Sequence, residues 1–176
     1  MKQQGKAVRT TGAWTMAAAL LLAALAAQRA QAADTTYAVK LMTPETALKA
    51  AQGALKKCRD GGYQVAVAVL DRSGVPQVML RDRYAGMHTP DAAIGKAWTA
   101  ISFKTSSLAL AESTQANKDS SGIRQIGHVL AVGGGILVEA GGVTFGGIGV
   151  SGAPNGAADE GCAKAGLAAI MEDLEF

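Results

Sequence analysis

The stretch GGGILVEAGGVTFGGIGVSG, residues 133–152, decides the fold of this 176-residue chain. Two short apolar runs, Ile136–Val138 and Val143–Val150, flank the tripeptide Ala140-Gly141-Gly142. Glycine readily adopts the positive φ angles that a tight hairpin turn requires. The stretch therefore predicts a β-hairpin.

The second strand of this hairpin contains three glycines, Gly146, Gly147 and Gly149. Glycine has no side chain to pack and weakens a strand, so this concentration indicates that something approaches the strand closely. A helix packed tightly on the sheet is one explanation. Contact with a ligand is the other.

The first 32 residues have the pattern of a secretory signal peptide. Lys2, Lys6 and Arg9 form a basic head, and the apolar run Trp14–Ala27 is too short for a comfortable membrane span. Small residues of a cleavage site follow at positions 30–32, and the absence of an Arg-Arg pair favours general secretion over the twin-arginine route. A retained anchor helix is the alternative. We expect a signal peptide over residues 1–32 and a single periplasmic or secreted domain over residues 33–176.

The charge of the chain changes when this segment is removed. Four of the 17 Lys and Arg residues and none of the 14 acids lie in residues 1–32, so 13 basic and 14 acidic residues remain. The remainder is nearly neutral. We therefore expect neither a nucleic-acid partner nor membrane binding after cleavage of the signal.

The segment that opens the predicted domain has the signals of a capped helix. Thr43-Pro44-Glu45 provides a capping hydroxyl, a proline at the first helical position and an acid beside the positive helix end. The helix should end near Arg59, before Asp60-Gly61-Gly62. Residues at three- and four-residue spacing form its apolar face, namely Ala47, Leu48, Ala51, Leu55 and Cys58.

Two further strands and three further helices complete the prediction. Alternating valines predict a strand over Tyr63–Asp71, which turns at residues 72–74 and returns over Val75–Asp82. A second proline-first helix covers Asp91–Thr105. Its apolar residues, most of which should be buried, are Ile94, Ala97, Trp98, Ile101 and Phe103. Leu108–Ser113 predicts a short helix, residues 114–124 a polar loop or short turns, and Ala157–Leu174 a final helix.

This order of elements predicts an α+β domain. Strands that are connected by hairpins form an antiparallel sheet, and the helices must cover at least one face of it.

Four passages of the chain resemble the GlcG/HbpS-like haem-binding family: AVAVLDRSGVPQVMLRDRYAG, GKAWTAISF, VGGGILVEAGGVTFGGIGVSG and DEGCAKAGLAAI. The resemblance covers nearly all of Met42–Ile170. It implies a profilin-like α+β fold, with an antiparallel sheet built from two hairpins and flanked by N-terminal, C-terminal and central helices. It also implies haem as a cofactor.

The residues themselves contain no catalytic constellation. The patterns CxxC, HExxH, GxSxG and GxxxxGK[ST] are absent, and GGIGVSG lacks the strand-then-helix context of a nucleotide loop. The sequence therefore leaves open whether the protein is an enzyme and favours a binding protein.

Two histidines are available as ligands, and position favours His88. It lies in a loop ahead of a predicted helix N-terminus, next to Met87, and imidazole and thioether both ligate haem iron. Arg83 and Lys96 are cations that can pair with haem propionates. We expect His88, Met87, Arg83 and Lys96 to bind the cofactor, with His88 on the iron, and we interpret His128 as a loop histidine.

Three classes of function remain open from the sequence. The first is a periplasmic or secreted haem-binding protein with a role in haem sequestration, sensing or accessory redox chemistry. The second is a small-metabolite-binding enzyme or accessory subunit of an organic-acid or alcohol catabolic pathway, with a glycine-walled cleft and Asp71, Arg81 or Lys96 as polar groups. The third is an assembly protein that binds another chain.

The two cysteines, Cys58 and Cys162, form an even pair in a chain that we expect to be exported, which favours a disulfide. The resemblance supports this pairing, because the profilin-like fold places the terminal helices side by side. Two buried free thiols are the alternative.

We also expect a symmetric homo-oligomer, because relatives are commonly oligomeric and a small open sheet exposes strand edges. Small residues on the last helix would allow close approach of a second copy: Ala163, Ala165, Gly166, Ala168 and Ala169. A monomer is the alternative.

Overall fold

A computed structural model of the protein describes residues 36–174, and the predicted signal segment, residues 1–32, lies outside them. All helices and strands of the described residues belong to one unit, Lys40–Phe176. In chain order they are α1 (Pro44–Asp60), β1 (Ala66–Asp71), β2 (Pro76–Arg81), α2 (Thr89–Phe103), α3 (Ser107–Ser113), a 3-10 helix (Asp119–Gln125), β3 (Gly135–Ala140), β4 (Val143–Ser151), α4 (Gly156–Ala168) and α5 (Met171–Leu174).

The four strands form one antiparallel sheet in the order β2-β1-β4-β3. Each outer strand is joined to its neighbour by a hairpin, and β1 pairs with β4 at the centre. The turn between β3 and β4 places Gly141 and Gly142 at φ values of 56° and 76°, as expected for a tight hairpin. The α+β class and the glycine hairpin are therefore confirmed.

Helices cover both faces of the sheet. Helices α1 and α4 pack on one face, where alternate residues of β1 and β4, among them Val67, Val69, Ile148 and Val150, belong to the main hydrophobic core. Helix α2 packs on the other face, against Ala66, Ala68 and Leu70 of β1. The sheet is thus the middle layer of three.

The glycines of β4 lie under helix α2. A Cβ atom at Gly149 would lie 1.9 Å from the carbonyl oxygen of Ala93, and one at Gly147 would lie 2.9 Å from the side chain of Ile101. Of the two explanations that the sequence allowed, helix packing is therefore correct at these positions. The glycines do not wall an open cleft.

The close approach changes which residues of α2 are buried. The helix meets the sheet through its small residues Ala93, Ala97 and Ala100, which are fully buried. The sequence analysis named five apolar residues of this helix and expected most of them to be buried. That expectation is wrong, because only Ala97 and Ile101 are buried. Ile94, Trp98 and Phe103 are half-buried.

The terminal helices α1 and α4 run antiparallel and are joined by the Cys58–Cys162 disulfide, whose two Cα atoms are 5.5 Å apart. One turn further along, a Cβ at Gly166 would lie 2.6 Å from the carbonyl oxygen of Ala50. The predicted disulfide is confirmed. Gly166 and the fully buried Ala163 are used inside the chain, so these two residues do not offer a surface to a second copy.

The predicted final helix is interrupted, and two predicted strands are shorter. After α4, the amide of Ile170 donates to the carbonyl of Leu167, three residues earlier, and this tighter turn buries Ile170 in the core.

Strand β1 begins at Ala66 instead of Tyr63. The amide of Tyr63 instead donates to the carbonyl of Cys58, at the end of α1.

The contact between α2 and β4 predicts the effect of adding one methyl group. Gly149→Ala should lower the free energy of unfolding by about 3 kcal/mol or more, because the new Cβ meets helix backbone and neither element can move independently. Gly161→Ala is the matched control: no atom lies within 4 Å of its Cβ position on helix α4, so that change should stabilise by up to about 1 kcal/mol. Urea unfolding measures both, and equal effects would contradict the packing.

The disulfide predicts a large effect of reduction, because it joins residues 104 positions apart. In the chain-entropy model a loop of this length corresponds to about 4 to 5 kcal/mol. We expect the double variant Cys58→Ala, Cys162→Ala to be destabilised by about 2 to 5 kcal/mol in thermal unfolding and to lose the sensitivity of the wild type to reductant. Two alkylatable thiols in the non-reduced protein would contradict the bridge.

Candidate functional site

A mainly apolar cleft lies on the outer side of helix α2. It encloses about 690 Å³. Its lining consists of Gly74, Asp91, Ala92, Ile94, Gly95, Trp98, His128, Val129 and Leu130. We call it the Trp98–His128 cleft, after two rings whose centroids are 5.7 Å apart and whose planes are tilted by 42°.

Trp98 is held by the turn between β1 and β2. Gly74 has a φ of 81° in this turn, and a Cβ there would lie 2.8 Å from Cδ1 of the indole. The turn itself is fixed by Asp71, whose Oδ1 accepts from the amides of Ser73 and Val75 at 2.8 and 3.0 Å. The carboxylate of Asp71 therefore serves the turn and is not directed at a ligand.

His128 is held by a loop that lies against α2. The residue has a φ of 70°, and two positions later the amide of Leu130 donates to Oγ1 of the buried Thr99 at 2.8 Å. Gly95 leaves room for the loop, because a Cβ there would lie 3.1 Å from Cβ of Leu130. Neither ring nitrogen of His128 forms a hydrogen bond with another described residue, so both are available.

The cleft combines apolar surface with an imidazole that has no described hydrogen-bond partner. Ile94, Trp98, Val129 and Leu130 provide apolar and aromatic surface, and His128 provides a free imidazole beside it. Cleft volume and lining are both in the range of small-molecule sites. On the far side of Trp98, an adjoining cleft contains two exposed cations, Arg72 and Lys104.

A second cleft, of about 540 Å³, lies at the N-termini of α2 and α4. We call it the Ser151 cleft. Its residues include Tyr63, Tyr84, Gly86, His88, Thr89, Ser151, Gly152, Ala153, Asn155, Gly156 and Asp159. Polar and apolar surface contribute about equally to this lining, whereas apolar surface predominates in the Trp98–His128 cleft.

The loop that the sequence singled out lies at the edge of the Ser151 cleft. His88 is the N-cap residue of α2, forms no side-chain cap hydrogen bond and is exposed, with its ring over Gly86. Met87 is 93% exposed, and Arg83 is exposed as well. The structure thus brings three of the four predicted residues into one exposed loop. Their role as haem ligands stays a prediction.

Lys96, the fourth predicted residue, lies in the interior. Its Nζ donates to Oδ2 of Asp159 at 2.8 Å and to the carbonyl of Val150 at 3.0 Å, and both side chains of the ion pair are 4% exposed. A propionate can reach this amine only by displacing Asp159. Arg81 is engaged too, since its guanidinium donates to the carbonyl of Ala85.

Burial raises the pKa of Asp159 above the ordinary aspartate range. The hydrogen bond and charge of Lys96 oppose this shift, as does the amide of Ala153, which donates to Oδ1 at 2.9 Å. The pair joins α2 on one face of the sheet to α4 on the other. The ion pair lies at the end of β4, where the carbonyl of Val150 accepts a second hydrogen bond from Lys96.

Residues 36–174 contain neither a cluster of metal-ligating side chains nor a membrane-spanning helix. No three His, Cys, Asp or Glu side chains there are grouped to hold a metal ion. In the same range, no helix is long and apolar enough to cross a membrane.

Solved structures of other proteins have the same fold. A Streptomyces reticuli HbpS double mutant is 37% identical to this chain, with a TM-score of 0.72 and coverage of 77% of this chain and 90% of that one. The Klebsiella pneumoniae protein ORFY is 25% identical, with a TM-score of 0.73 and coverage of 77% and 94%. A structure of a PduOC:heme complex is 26% identical, with a TM-score of 0.70 and coverage of 74% and 96%. No curated protein matches the chain.

These likenesses define a class of small α+β domains with a central antiparallel sheet. The family model described as "Haem degrading protein HbpS-like" matches residues 42–168. The chain belongs to the HbpS-like family, which confirms the resemblance found in the sequence.

The buried ion pair predicts a pH-dependent effect of removing Lys96. Lys96→Met leaves the Asp159 carboxyl buried without its cation, which should cost about 3 to 5 kcal/mol at neutral pH. Because the variant raises the pKa of Asp159 further, the carboxyl binds its proton more tightly in the folded state than in the unfolded state. Its contribution to stability is then largest below the ordinary aspartate range and is lost as pH rises, so the destabilisation should grow from pH 4 to pH 7.

Lys56→Met is the matched control, because Lys56 pairs with Asp60 on the surface of α1, with 75% and 56% of the two side chains exposed. It should cost less than about 1 kcal/mol at any pH. Adding Asp159→Asn to Lys96→Met should remove the pH dependence of the variant. Denaturant unfolding at several pH values tests this, and a pH-independent loss in Lys96→Met would contradict the proposed cause.

Proposed function

We propose that this protein binds haem in the Trp98–His128 cleft. The observation that carries the proposal is the free imidazole of His128 beside the indole of Trp98 in a cleft whose surface is mainly apolar. Haem is a planar macrocycle with an iron centre that histidine commonly ligates, and its rim is apolar except for two propionates.

The lining matches these parts of haem one by one. His128 would supply the axial nitrogen, Trp98 would lie against the macrocycle, and Ile94 and Leu130 would cover its edge. Arg72, in the adjoining cleft that shares Gly74 and Trp98, would pair with a propionate. Bound haem would supply redox-active iron, and the residues of this chain would bind it, orient it and exclude water from one face.

The relatives support haem as the ligand. The family description names haem, and the PduOC structure, 26% identical to this chain, is a heme complex. These two observations concern relatives, and they favour haem over other planar ligands here.

The two histidines can be compared directly. His88 has the loop position that the sequence favoured, but it is exposed on a cleft in which polar and apolar surface are about equal, and Met87 projects into solvent. His128 has an apolar wall beside its ring. We therefore assign the axial role to His128 and keep His88 as the residue to compare with it.

We further propose that the protein is exported and acts in the periplasm or outside the cell as a homo-oligomer. The predicted signal segment and the Cys58–Cys162 disulfide support export, because disulfides persist in oxidising compartments. The exposed edge strand β2, which carries the 36% exposed Met79, supports association.

Haemin titration of the purified protein tests the haem site. His128→Ala should weaken binding at least tenfold and shift the Soret maximum, because an axial ligand is lost. Trp98→Leu should weaken binding while the Soret maximum of the bound form stays in place, because only the contact with the macrocycle changes.

The matched control is His88→Ala, which removes an exposed imidazole outside the cleft and should leave both the affinity and the spectrum unchanged. Stoichiometry close to one haem per chain separates a site from adsorption on apolar surface. If His88→Ala alone changed the spectrum, the axial role would belong to His88. If neither variant differed from the wild type, both histidines would be excluded.

A further inference from the structure

We propose that the Ser151 cleft is a second site, which binds a small carboxylate independently of haem. The cleft lies where strand β4 ends and helix α4 begins, at the N-terminus of α2. Its lining includes polar groups that can donate hydrogen bonds and have no described protein partner for doing so.

Ser151 is the first of these donors. It follows Gly149 by two positions on β4 and so points to the same face of the sheet, at the N-terminus of α2. The residue is only 6% exposed and lines the cleft. Its hydroxyl has no hydrogen-bond partner among the described residues. Because Ser151 lines the cleft and no described protein group accepts from its hydroxyl, this hydroxyl can donate to a ligand there.

The first turn of helix α4 supplies the other donors. Asn155 is the N-cap, and its Oδ1 accepts from the amide of Ala158 at 2.9 Å. Its Nδ2 group therefore remains a donor on the cleft. The amide of Gly156 belongs to the first turn of the helix, where amides lack intrahelical partners and the helix dipole favours negative charge.

Two acceptor groups of the cleft are already occupied. Asp159 uses Oδ2 for Lys96 and Oδ1 for the amide of Ala153. The carbonyl of Gly86 accepts from both the amide and the hydroxyl of Thr89. A carboxylate offers only acceptors, so it is complementary to the donors of Ser151, Asn155 and Gly156.

The charges favour a single negative charge on the ligand. Among the residues that line the cleft, none is Lys or Arg, and the one carboxylate, Asp159, is offset by Lys96. A phosphate dianion would lack a cation to pair with. A small monocarboxylate needs only the donors and the helix dipole.

The test is an amide NMR titration of the haem-free, 15N-labelled protein with lactate, with its neutral isostere lactamide and with inorganic phosphate. Lactate should shift the amide signals of Ser151 and Gly156 saturably, lactamide should do so at least tenfold more weakly, and phosphate should bind less tightly than lactate. Asn155→Asp should weaken lactate binding at least tenfold, because a repelling acceptor replaces a donor. The fold is preserved, since Asp is an equally good N-cap.

Ser151→Ala should weaken binding about fivefold or more, whereas Ser102→Ala, on the exposed surface of α2, should stay within twofold. Absence of saturable shifts with lactate, equal binding of lactamide, or unchanged binding in Asn155→Asp would overturn the site. Saturation with haemin should leave lactate binding intact, and loss of lactate binding would show that the cleft is not independent. Failure of haem binding alone would leave the carboxylate site standing.

Discussion

The close approach of helix α2 to the sheet is the constraint on which the other features depend. Backbone meets backbone at two glycines: a Cβ at Gly149 would lie 1.9 Å from the carbonyl of Ala93, and one at Gly135 would lie 2.0 Å from that of Lys96. Any side chain at either position would push the helix away from the sheet. Lys96 then could not reach both Val150 and Asp159, and Thr99 could not hold the loop of His128 through Leu130.

The same contact explains why a lysine is buried on this helix. Lys96 occupies the face that carries Ala93, Ala97 and Ala100, so its stem runs between helix and sheet while its amine reaches the end of β4. An isolated ammonium there would be prohibitively costly. Asp159 at the start of α4 compensates it, and the pair fixes helices on opposite faces of the sheet at one point. Stability at this point therefore depends on both partners, and either one alone would be a buried unpaired charge.

Local sequence signals predicted the elements well because each depends on a few neighbouring residues. Gly141 and Gly142 specify a turn, Thr43 and Pro44 a helix start, and paired cysteines a bridge between the terminal helices. The Trp98–His128 cleft was missed because the turn at Gly74, helix α2 and the loop at residue 128 are distant in the chain. Lys96 was interpreted as a free cation because its partner, Asp159, is also distant in the chain. The signal that could have corrected it was its spacing from Ala93 and Ala100, which places the lysine on the small-residue face.

The position of α2 also accounts for the presence of two clefts of different chemistry. Because small residues face the sheet, the larger Ile94 and Trp98 are left on the outer side, where the loop around His128 covers them only in part. At the N-terminus of the helix the sheet continues by two residues, to Ser151, which lines the second cleft together with Thr89. An apolar cleft on the outer side of the helix and a donor-lined cleft at its N-terminus are therefore consequences of one packing contact. A change that moved α2 would alter both clefts together, whereas changes in the loop of His128 or in the N-cap of α4 would alter one without the other.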